Sequence, residues 1–228
     1  MALNALALDR LLDVLQPGQK IASLGYPDIL YPPEKLAGRV DVSKLEYRPE
    51  SSRICKRHGL EYRQVPDADS LFGLYGGLLD VYDIVSERGC EIACDLNVPL
   101  PDSACEQYDY VLDVGTLEHC FNVAQALVNA AAMLKVGGLI IHENPFNVGN
   151  HGFWGINPTL YHDFYTDNGF EVVECRLCRG DESVELPPTR RFIYTDTEAN
   201  TFFIARRLEV RDFVFPTQSK YRPKARTA

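Results

Sequence analysis

Residues 108–119 of this chain read YDYVLDVGTLEH. The apolar run over 108–114 predicts a buried β-strand, and Gly115 marks its end. A long helix is predicted next, over 123–134, because its apolar residues recur at helical spacing. Residues 139–142 then predict another buried strand. Strands that alternate with helices in this way indicate an α/β fold with a mainly parallel sheet.

The same alternation extends along the chain in both directions. Three further strands are predicted earlier, at 20–25, 81–85 and 91–95. Two more follow, at 170–177 and 200–206, joined by the long polar loop 179–199, which shows no helical periodicity. This last pair predicts an antiparallel hairpin. The expected fold is therefore a Rossmann-like doubly wound α/β sheet, mainly parallel, with an antiparallel C-terminal hairpin.

Helical periodicity predicts the remaining helices at 6–15, 50–58, 68–75 and 158–168. The helix over 123–134 is expected to stop at Gly137-Gly138, because glycine commonly terminates a helix. The strand after it would then begin near Leu139.

The composition is that of an ordinary globular chain, with 228 residues, 46% apolar and 24% charged. No run approaches the roughly 18 apolar residues of a membrane span, and the N-terminus lacks the basic start of a secretory signal. Seven cysteines without such a signal fit a reducing compartment. We therefore expect a cytoplasmic protein with no membrane partner, and nothing in the sequence indicates an oligomeric state.

The charge of the chain is unevenly distributed. The net charge of −9 makes a nucleic acid an unfavourable partner. Residues 215–228, in contrast, form a basic C-terminal tail after a single domain expected over 1–214. The tail is interpreted as solvated, with contact to an anionic partner or closure over the site as the alternative.

Four stretches, taken together, resemble the class I S-adenosylmethionine-dependent methyltransferases. They are 95–101 (DLNVPLP), 108–119, 131–141 (AAMLKVGGLII) and 168–172 (NGFEV), in this order and spacing. The resemblance implies the α/β fold already predicted, S-adenosyl-L-methionine as cofactor and a methyl acceptor as partner.

The resemblance also implies which residues bind the cofactor at the carboxyl ends of the strands. Asp83, after the second strand, would hold the ribose hydroxyls. Asp95 would meet the adenine amino group, and Leu96 would flank the ring. Gly115 would let the backbone approach the methionine portion, and Gly25 would be the remaining glycine of the cofactor loop after the first strand.

Alternatives stay open for the ribose carboxylate. Asp83 could instead cap the following turn. A strand at 60–65 would make Asp67 the acid.

The first loop, residues 23–29 (SLGYPDI), departs from the acidic residue and Gly-x-Gly-x-Gly pattern of the family. Only Gly25 is kept, and Pro27 cannot donate a backbone hydrogen bond. Asp28 could replace the missing acid and bind the cofactor ammonium, or it could cap a turn. The following segment, 30–76, is longer than the family usually has, so it is interpreted as an insertion or lid, or as an extra packing layer. Tyr26 could cover the cofactor.

Polar residues follow the strands at 108–114 and 139–142. His119 and His151 are the candidate general bases, with Glu118 beside them, because an imidazole with an ordinary pKa of about 6.5 suits proton transfer. His119 could alternatively cap the helix that follows it. The candidate substrate contacts are His142, Asn144, Trp154 and Tyr161, and His142 could alternatively be a neutral core histidine at a strand end.

Carboxylates and imidazoles also suggest a metal site, since both bind divalent ions. The possible members are Glu118, His119, His142, Glu143 and His151. No His-x-His or His-x₃-His spacing supports them, so no metal ligand is assigned.

The sequence thus favours a methyltransferase that uses S-adenosylmethionine on an oxygen or nitrogen of a small molecule, such as a sugar, an amino-acid derivative or a secondary metabolite. The first alternative is a protein of the same fold that does not methylate, either a binding or partner subunit or an enzyme of other chemistry. The second is a metal-dependent enzyme that uses the histidine cluster.

Overall fold

The computed structural model describes residues 2–89, 91–179, 182–192 and 198–222. These residues form ten strands: β1 (Ala2–Leu3), β2 (Lys20–Leu24), β3 (Asp28–Ile29), β4 (Leu78–Asp83), β5 (Ile92–Ala93), β6 (Tyr108–Asp113), β7 (Leu134–Pro145), β8 (Phe170–Arg179), β9 (Glu182–Glu185) and β10 (Asn200–Arg207). They also form six α-helices: α1 (Ala5–Leu12), α2 (Pro33–Leu36), α3 (Ser51–His58), α4 (Ala68–Leu74), α5 (Val123–Met133) and α6 (Pro158–Asp167). None of these helices is long and apolar enough to cross a membrane.

Eight of the strands form one central sheet in the order β5-β4-β2-β6-β7-β10-β8-β9. The first five of these are parallel to one another. β10 lies antiparallel between β7 and β8. The expected parallel strands, the antiparallel C-terminal pair and the α/β fold class are confirmed.

The order of the strands reverses at β2. β4 pairs with β2 on one side and β6 pairs with it on the other. In an open parallel sheet, such a reversal leaves a crevice beyond the carboxyl ends of the central strands. The crevice therefore lies just beyond Leu24 and Asp113, where β2 and β6 end.

Helices cover both faces of the sheet. Leu11 of α1 and Phe72 of α4 belong to the core on one face. Leu127 of α5 and Tyr165 of α6 belong to the core on the other. Burial on both faces explains why the central strands read as nearly continuous apolar runs.

The two glycines at the start of β7 have a different role from the one expected. α5 ends at Met133, and Gly137-Gly138 lie inside β7, so the prediction that they stop the helix is wrong. The register between β6 and β7 shifts at this point. Gly137 has a φ of +88°, and a Cβ on Gly138 would lie 2.9 Å from the Asp109 carbonyl oxygen. The pair therefore forms an irregularity in the strand, where side chains would be strained or would clash.

The polar loop expected at 179–199 is shorter in the structure. Residues 182–185 form β9, which pairs antiparallel with β8. Because this strand is mostly polar, the apolar alternation by which a strand is recognised in sequence is missing.

The 30–76 segment contains α2, α3 and α4, and its role as a lid stays a prediction. Residues 60–65, all described, contain no strand. Asp67 caps α4 and accepts a hydrogen bond from the Ser70 backbone N–H at 3.0 Å. The alternative in which Asp67 ends a strand is therefore not the one that the structure adopts.

Two residues in the first part of the basic tail donate hydrogen bonds to α6, while most of the described tail residues are exposed, and the interpretation of the tail as solvated stays a prediction. The Ser219 backbone N–H donates to Asp163 at 2.7 Å. The Arg222 guanidinium donates to Asp167 at 2.8 Å. The basic residues at 223–228 lie outside the described residues.

A buried amide fixes the loop that follows β5. The side-chain amide of Asn129, on α5, donates to the carbonyl oxygens of Leu96 at 3.0 Å and Val98 at 2.9 Å. Its own oxygen accepts from the Leu100 backbone N–H at 3.2 Å and from Gln125 Nε2 at 2.9 Å. Because buried polar groups need partners, these bonds hold the loop at a fixed position against α5.

Replacement of this amide should destabilise the protein. Asn129→Ala is expected to lower the free energy of unfolding by about 2 to 4 kcal/mol, because backbone groups of the loop lose their partners. Gln125→Ala is the matched control. It leaves the bonds from Asn129 to the loop intact and should cost less than about 1 kcal/mol. Urea unfolding measures both, and equal losses in the two variants would contradict this role.

Candidate functional site

A cleft with a volume of about 250 Å³ lies beyond the carboxyl ends of β2, β4 and β6. This volume is close to the lower limit of small-molecule sites, about 300 Å³. The cleft is lined by Gly25, Tyr82, Asp83, Ile84, Cys94, Asp95, Leu96, Asn97, Gly115, Thr116, His119 and Cys120. Five of the seven residues that the sequence analysis assigned to the cofactor are in this lining: Gly25, Asp83, Asp95, Leu96 and Gly115.

Asp83 is the last residue of β4 and enters the cleft beside the end of β2. Its carboxylate accepts a hydrogen bond from the Val85 backbone N–H at 3.2 Å. The Gly25 backbone N–H donates to the Tyr82 carbonyl oxygen at 2.6 Å and joins the ends of the two strands. Gly25 has a φ of +79°, a left-handed conformation that favours glycine. The carboxylate of Asp83 therefore stands next to a turn without side-chain bulk.

The loop after β5 forms the second part of the cleft. Asp95 accepts two hydrogen bonds from Asn97, at 2.9 Å from its backbone N–H and at 2.7 Å from its side chain. These bonds hold the pKa of Asp95 below its ordinary value. Leu96 is buried and contributes an apolar surface. Because Asn129 fixes the loop from behind, the carboxylate and the leucine are held in place before any ligand binds.

The turn after β6 forms the third part. One oxygen of the buried Asp113 carboxylate accepts from the backbone N–H groups of Thr116 and Leu117, both at 3.1 Å. The Thr116 hydroxyl donates to the Leu24 carbonyl oxygen at the end of β2. Gly115 lies between these anchors with a φ of +102°. Sequence reasoning missed Thr116, although its position directly after the glycine was a usable signal.

Tyr26 and Asp28, the other two predicted cofactor residues, are not in the lining of the cleft. The Tyr26 hydroxyl donates to Asp67 at 2.6 Å, and the guanidinium groups of Arg48 and Arg88 lie over its ring, 4.6 and 4.5 Å from the centroid. Asp28 is buried and accepts from Arg48 at 3.0 Å. β3, which contains Asp28, also pairs with the N-terminal β1. Local sequence does not show these long-range partners, which direct both side chains elsewhere.

Three of the four predicted substrate residues are enclosed in the core. His142, Asn144 and Tyr161 are fully buried. His142 lies 2.7 Å from Asp113 through Nδ1 and 2.6 Å from the Tyr165 hydroxyl through Nε2. The Asp113 carboxylate and the tyrosine thus fix the orientation of its ring. None of these three predicted substrate residues is in the lining of the cleft.

Asn144 connects this buried layer to Glu118. Its side-chain amide donates to Glu118 Oε2 at 2.9 Å, and its oxygen accepts from the Tyr161 hydroxyl at 2.5 Å. Glu118 is itself fully buried. Burial, followed by the nearby charge of Asp113, raises the pKa of Glu118 to about 7. The other oxygen, Oε1, has no hydrogen-bond partner within the described part of the chain.

The two candidate histidines face that oxygen. His151 Nε2 lies 3.5 Å from Glu118 Oε1, and His119 Nε2 lies 3.9 Å from it. Their ring centroids are 5.3 Å apart. Burial, followed by the proximity of His151, lowers the pKa of His119. We call Glu118, His119 and His151 the rim cluster; His119 also lines the cleft.

A tight backbone contact brings His151 to the rim cluster. The backbone N–H groups of Phe153 and Trp154 donate to the Glu118 carbonyl oxygen at 2.8 and 3.2 Å. At Gly152, a Cβ would lie 2.7 Å from the same oxygen, so only glycine fits without a shift. The sequence showed a glycine-rich loop here but not which residue it would contact.

Exposed aromatic side chains lie beside the rim cluster. Trp154 Nε1 donates to the Cys120 carbonyl oxygen at 3.0 Å, which fixes the indole at the rim. The Phe121 ring contacts Phe153, with centroids 5.7 Å apart, and Trp154, at 6.5 Å. All three aromatic side chains are exposed to solvent. Phe121 was missed by sequence reasoning, although it directly follows the histidine turn.

Neither a family model nor a curated protein matches this chain. Solved structures, in contrast, match this chain in their fold. The chain superposes on a candidate methyltransferase from Bacillus halodurans with a TM-score of 0.53 and 11% identity, over 90% of this chain and 99% of that one. This is the class I methyltransferase fold. A chain from the complex of a methyltransferase activator and a candidate methyltransferase of Haloferax volcanii gives a TM-score of 0.51 and 14% identity, over 89% of each chain.

The same methyltransferase fold is found within a larger protein. The CurJ carbon methyltransferase gives a TM-score of 0.50 and 11% identity, over 89% of this chain and 52% of that one. This chain therefore spans about half of the CurJ chain. At these identities the likeness concerns the fold, which confirms the fold-level resemblance stated from the four sequence stretches.

A second buried carboxyl, Glu143 on β7, lies in the same methyltransferase-fold sheet. Its Oε1 accepts from Asn4 at 2.6 Å and from Asn200 at 3.2 Å. Oε2 has no hydrogen-bond partner among the described residues. Burial raises the pKa of Glu143 to about 7, although Asn200 opposes the shift. Folding therefore favours the protonated form.

Glu143 should make stability depend on pH. Its folded pKa of about 7 lies above that of an unfolded glutamate, so its contribution is complete at acid pH and is lost as the pH rises through 7. Between about pH 5 and pH 8, the free energy of unfolding of the wild type should fall by roughly 2 kcal/mol relative to Glu143→Gln. Urea unfolding at several pH values measures this difference.

Glu171→Gln removes an exposed carboxyl on β8 and serves as the control for the loss of a surface charge. Parallel pH curves for the wild type and Glu143→Gln would show that Glu143 does not titrate in this range.

Proposed function

We propose that this protein is a methyltransferase that uses S-adenosyl-L-methionine and acts on an oxygen or nitrogen of a small molecule. The observation that carries the proposal is the position of Asp83 and Asp95 in one cleft at the carboxyl edge of the sheet. One carboxylate at the end of β4 and one in the loop after the adjacent β5 suit the two donor groups of an adenosyl ligand, the ribose diol and the adenine amino group. The likeness to methyltransferase structures supports the same assignment.

The residues present fit this cofactor. Asp83 would accept hydrogen bonds from the ribose hydroxyls, and Asp95 from the adenine amino group, with Leu96 against the ring. Gly25 and Gly115 have no side chains and leave the ends of β2 and β6 open. None of the side chains of residues 26–31 is among the lining of the cleft. The loss of the later glycines therefore does not fill the space.

The cofactor would supply an electrophilic methyl group on a sulfonium. The protein then has to hold an acceptor in line with the methyl group, which is mainly a matter of orientation. The rim cluster is the candidate group for activation of the acceptor, because His119 belongs both to the cluster and to the lining of the cleft. Burial raises the pKa of Glu118 towards neutral pH, where proton transfer is most efficient, and the lowered pKa of His119 favours the neutral imidazole that a general base requires.

A small-molecule acceptor agrees with the surface around the cleft. Phe121, Phe153 and Trp154 offer exposed aromatic faces next to the rim cluster, which suit a ring or another apolar group. Sugars, amino-acid derivatives and secondary metabolites all fit this description. The net charge of −9 disfavours a nucleic acid, and the free thiols favour a cytoplasmic location.

Calorimetry with S-adenosylmethionine and S-adenosylhomocysteine tests the cofactor assignment. The wild type should bind both, and Asp83→Ala should weaken the affinity at least about tenfold through loss of a charged hydrogen-bond acceptor. Asp102→Asn, at an exposed aspartate outside the cleft lining, is the matched control and should bind as the wild type does. Failure of the folded wild-type protein to bind either ligand would overturn the proposal.

Mass spectrometry tests the reaction. Incubation with S-adenosylmethionine and a panel of hydroxyl- and amine-bearing small molecules should give a product heavier by one CH₂ unit. Glu118→Gln should slow its formation but leave the affinity for S-adenosylhomocysteine near the wild-type value, because Glu118 is not in the cleft lining. Release of homocysteine or methylthioadenosine without a heavier product would contradict methyl transfer and indicate another use of the sulfonium.

A further inference from the structure

The rim cluster has an arrangement that hydrogen bonds alone do not explain. One ligand atom from each of its three residues lies within 4.8 Å of the other two. Two imidazole nitrogens, His119 Nε2 and His151 Nε2, approach the same carboxylate oxygen, Glu118 Oε1. Both separations, 3.9 and 3.5 Å, are longer than a good hydrogen bond. The space between the three atoms is therefore large enough for a small ion.

The burial of the Glu118 carboxylate is a second, independent observation that points to a bound ion. Its side chain is completely enclosed, yet Oε1 has no hydrogen-bond partner among the described residues. A buried carboxylate oxygen without a partner is costly. A proton between Oε1 and one imidazole would satisfy only one of the two histidines, whereas a cation would accept lone pairs from all three groups.

We infer that Glu118, His119 and His151 bind one divalent transition-metal ion, of the class of Zn²⁺, Co²⁺ or Fe²⁺, at the rim of the cleft. An ion bonded at about 2.0–2.2 Å to each ligand keeps the ligand atoms roughly 3.0–3.5 Å apart. His151 already lies at 3.5 Å from Glu118 Oε1, and His119 has to move in by a few tenths of an ångström from 3.9 Å. Both imidazoles are about half exposed, with side-chain exposures of 51% and 47%, so they can rotate.

The hydrogen bonds that orient the Glu118 carboxylate are of the kind that orient metal ligands. Its second oxygen accepts from Asn144, which is held in turn by the Tyr161 hydroxyl. Ligating carboxylates are typically oriented by such outer hydrogen bonds, which fix the free oxygen towards the ion. Two imidazoles and one carboxylate favour transition metals over Mg²⁺, which prefers oxygen ligands.

The site has room for a substrate ligand. Three protein ligands with open positions are typical of catalytic rather than structural sites. Since His119 also lines the cleft, the open positions lie on the side where a methyl acceptor would approach. On the basis of the proposed function, the ion would bind an acceptor hydroxyl. The oxygen would lose its proton to water, attack the methyl carbon and displace a neutral thioether. This would narrow the acceptor class from oxygen or nitrogen to oxygen.

The sequence did not assign this site because its members are not close in the chain. Glu118 and His119 are adjacent, but His151 reaches them only through the contact of Gly152 with the Glu118 carbonyl oxygen. The other two residues of the metal hypothesis, His142 and Glu143, take no part, and Glu143 Oε1 accepts from Asn4 and Asn200 instead. His142 is bonded to Asp113 and Tyr165 in the core.

Titration of tag-free, metal-free protein with Co²⁺ and Zn²⁺ tests the inference. The wild type should bind one ion per chain, and the Co²⁺ complex should show visible absorption without a thiolate charge-transfer band. His119→Ala, His151→Ala and Glu118→Gln should each weaken the affinity at least about tenfold. His162→Ala is the matched control, because His162 on α6 pairs with Asp163 and is not in the rim cluster; it should bind as the wild type does. Mg²⁺ should bind far more weakly than Zn²⁺.

Circular dichroism checks that each variant is folded. The exposed His119 and His151 can be replaced with little loss of packing, so these variants keep the test valid if Glu118→Gln is unstable. No stoichiometric binding by the folded wild type, or equal affinity in the His151→Ala and His162→Ala variants, would overturn the inference. A thiolate band would assign the metal to cysteines and would also overturn it. Calorimetry with S-adenosylhomocysteine in the absence of metal tests the cofactor assignment separately. Lack of that binding would count against the cofactor, whereas lack of metal binding alone would count against the metal site.

Discussion

The site depends on the buried carboxylate of Asp113, which contacts both the turn after β6 and the neighbouring strand β7. It lies fully buried at the end of β6, and its two oxygens serve different elements. One accepts from the backbone of the turn that follows β6, and the other faces His142 on β7. A buried charge is tolerated only where hydrogen bonds compensate it, so the turn and the neighbouring strand are fixed relative to each other. Gly115 in the cleft and the first two members of the rim cluster, Glu118 and His119, all belong to the turn that this carboxylate anchors.

Two buried amide side chains likewise fix other parts of the site through hydrogen bonds. Asn129 fixes the loop that carries Asp95 and Leu96, and Asn144 orients Glu118. An amide offers both a donor and an acceptor, so one side chain can satisfy opposite backbone or carboxylate groups without a net charge. The side chains that support the site, Asp113, Asn129 and Asn144, are buried, whereas His119 and His151 are exposed at the rim. The site therefore combines fixed carboxylates with imidazoles that can rotate towards a ligand.

The short glycine loop is compatible with an open cleft because other contacts pull the chain away from it. β3 pairs with β1, and the Ala2 backbone N–H donates to the Val114 carbonyl oxygen. Asp28 is neutralised by Arg48, whose guanidinium also lies over the ring of Tyr26. These contacts involve Tyr26 and Asp28, the residues that the family pattern would have placed around the cofactor. The space beyond β2 is left open by Gly25 and by Gly115 in the turn after β6.

The sequence by itself determined the α/β class, the alternation of strands and helices along a mainly parallel sheet, and the positions of Asp83 and Asp95 at or just after strand ends. These follow from local patterns, since an apolar run shows where a buried strand ends and the sheet brings such ends to one edge. Only the tertiary structure decided that Tyr26 and Asp28 turn away, that Gly137-Gly138 lie within a strand, and that His151 meets Glu118. Each of these depends on partners distant in the chain. Their pairing is set by hydrogen bonds and packing across the fold, which no local periodicity records.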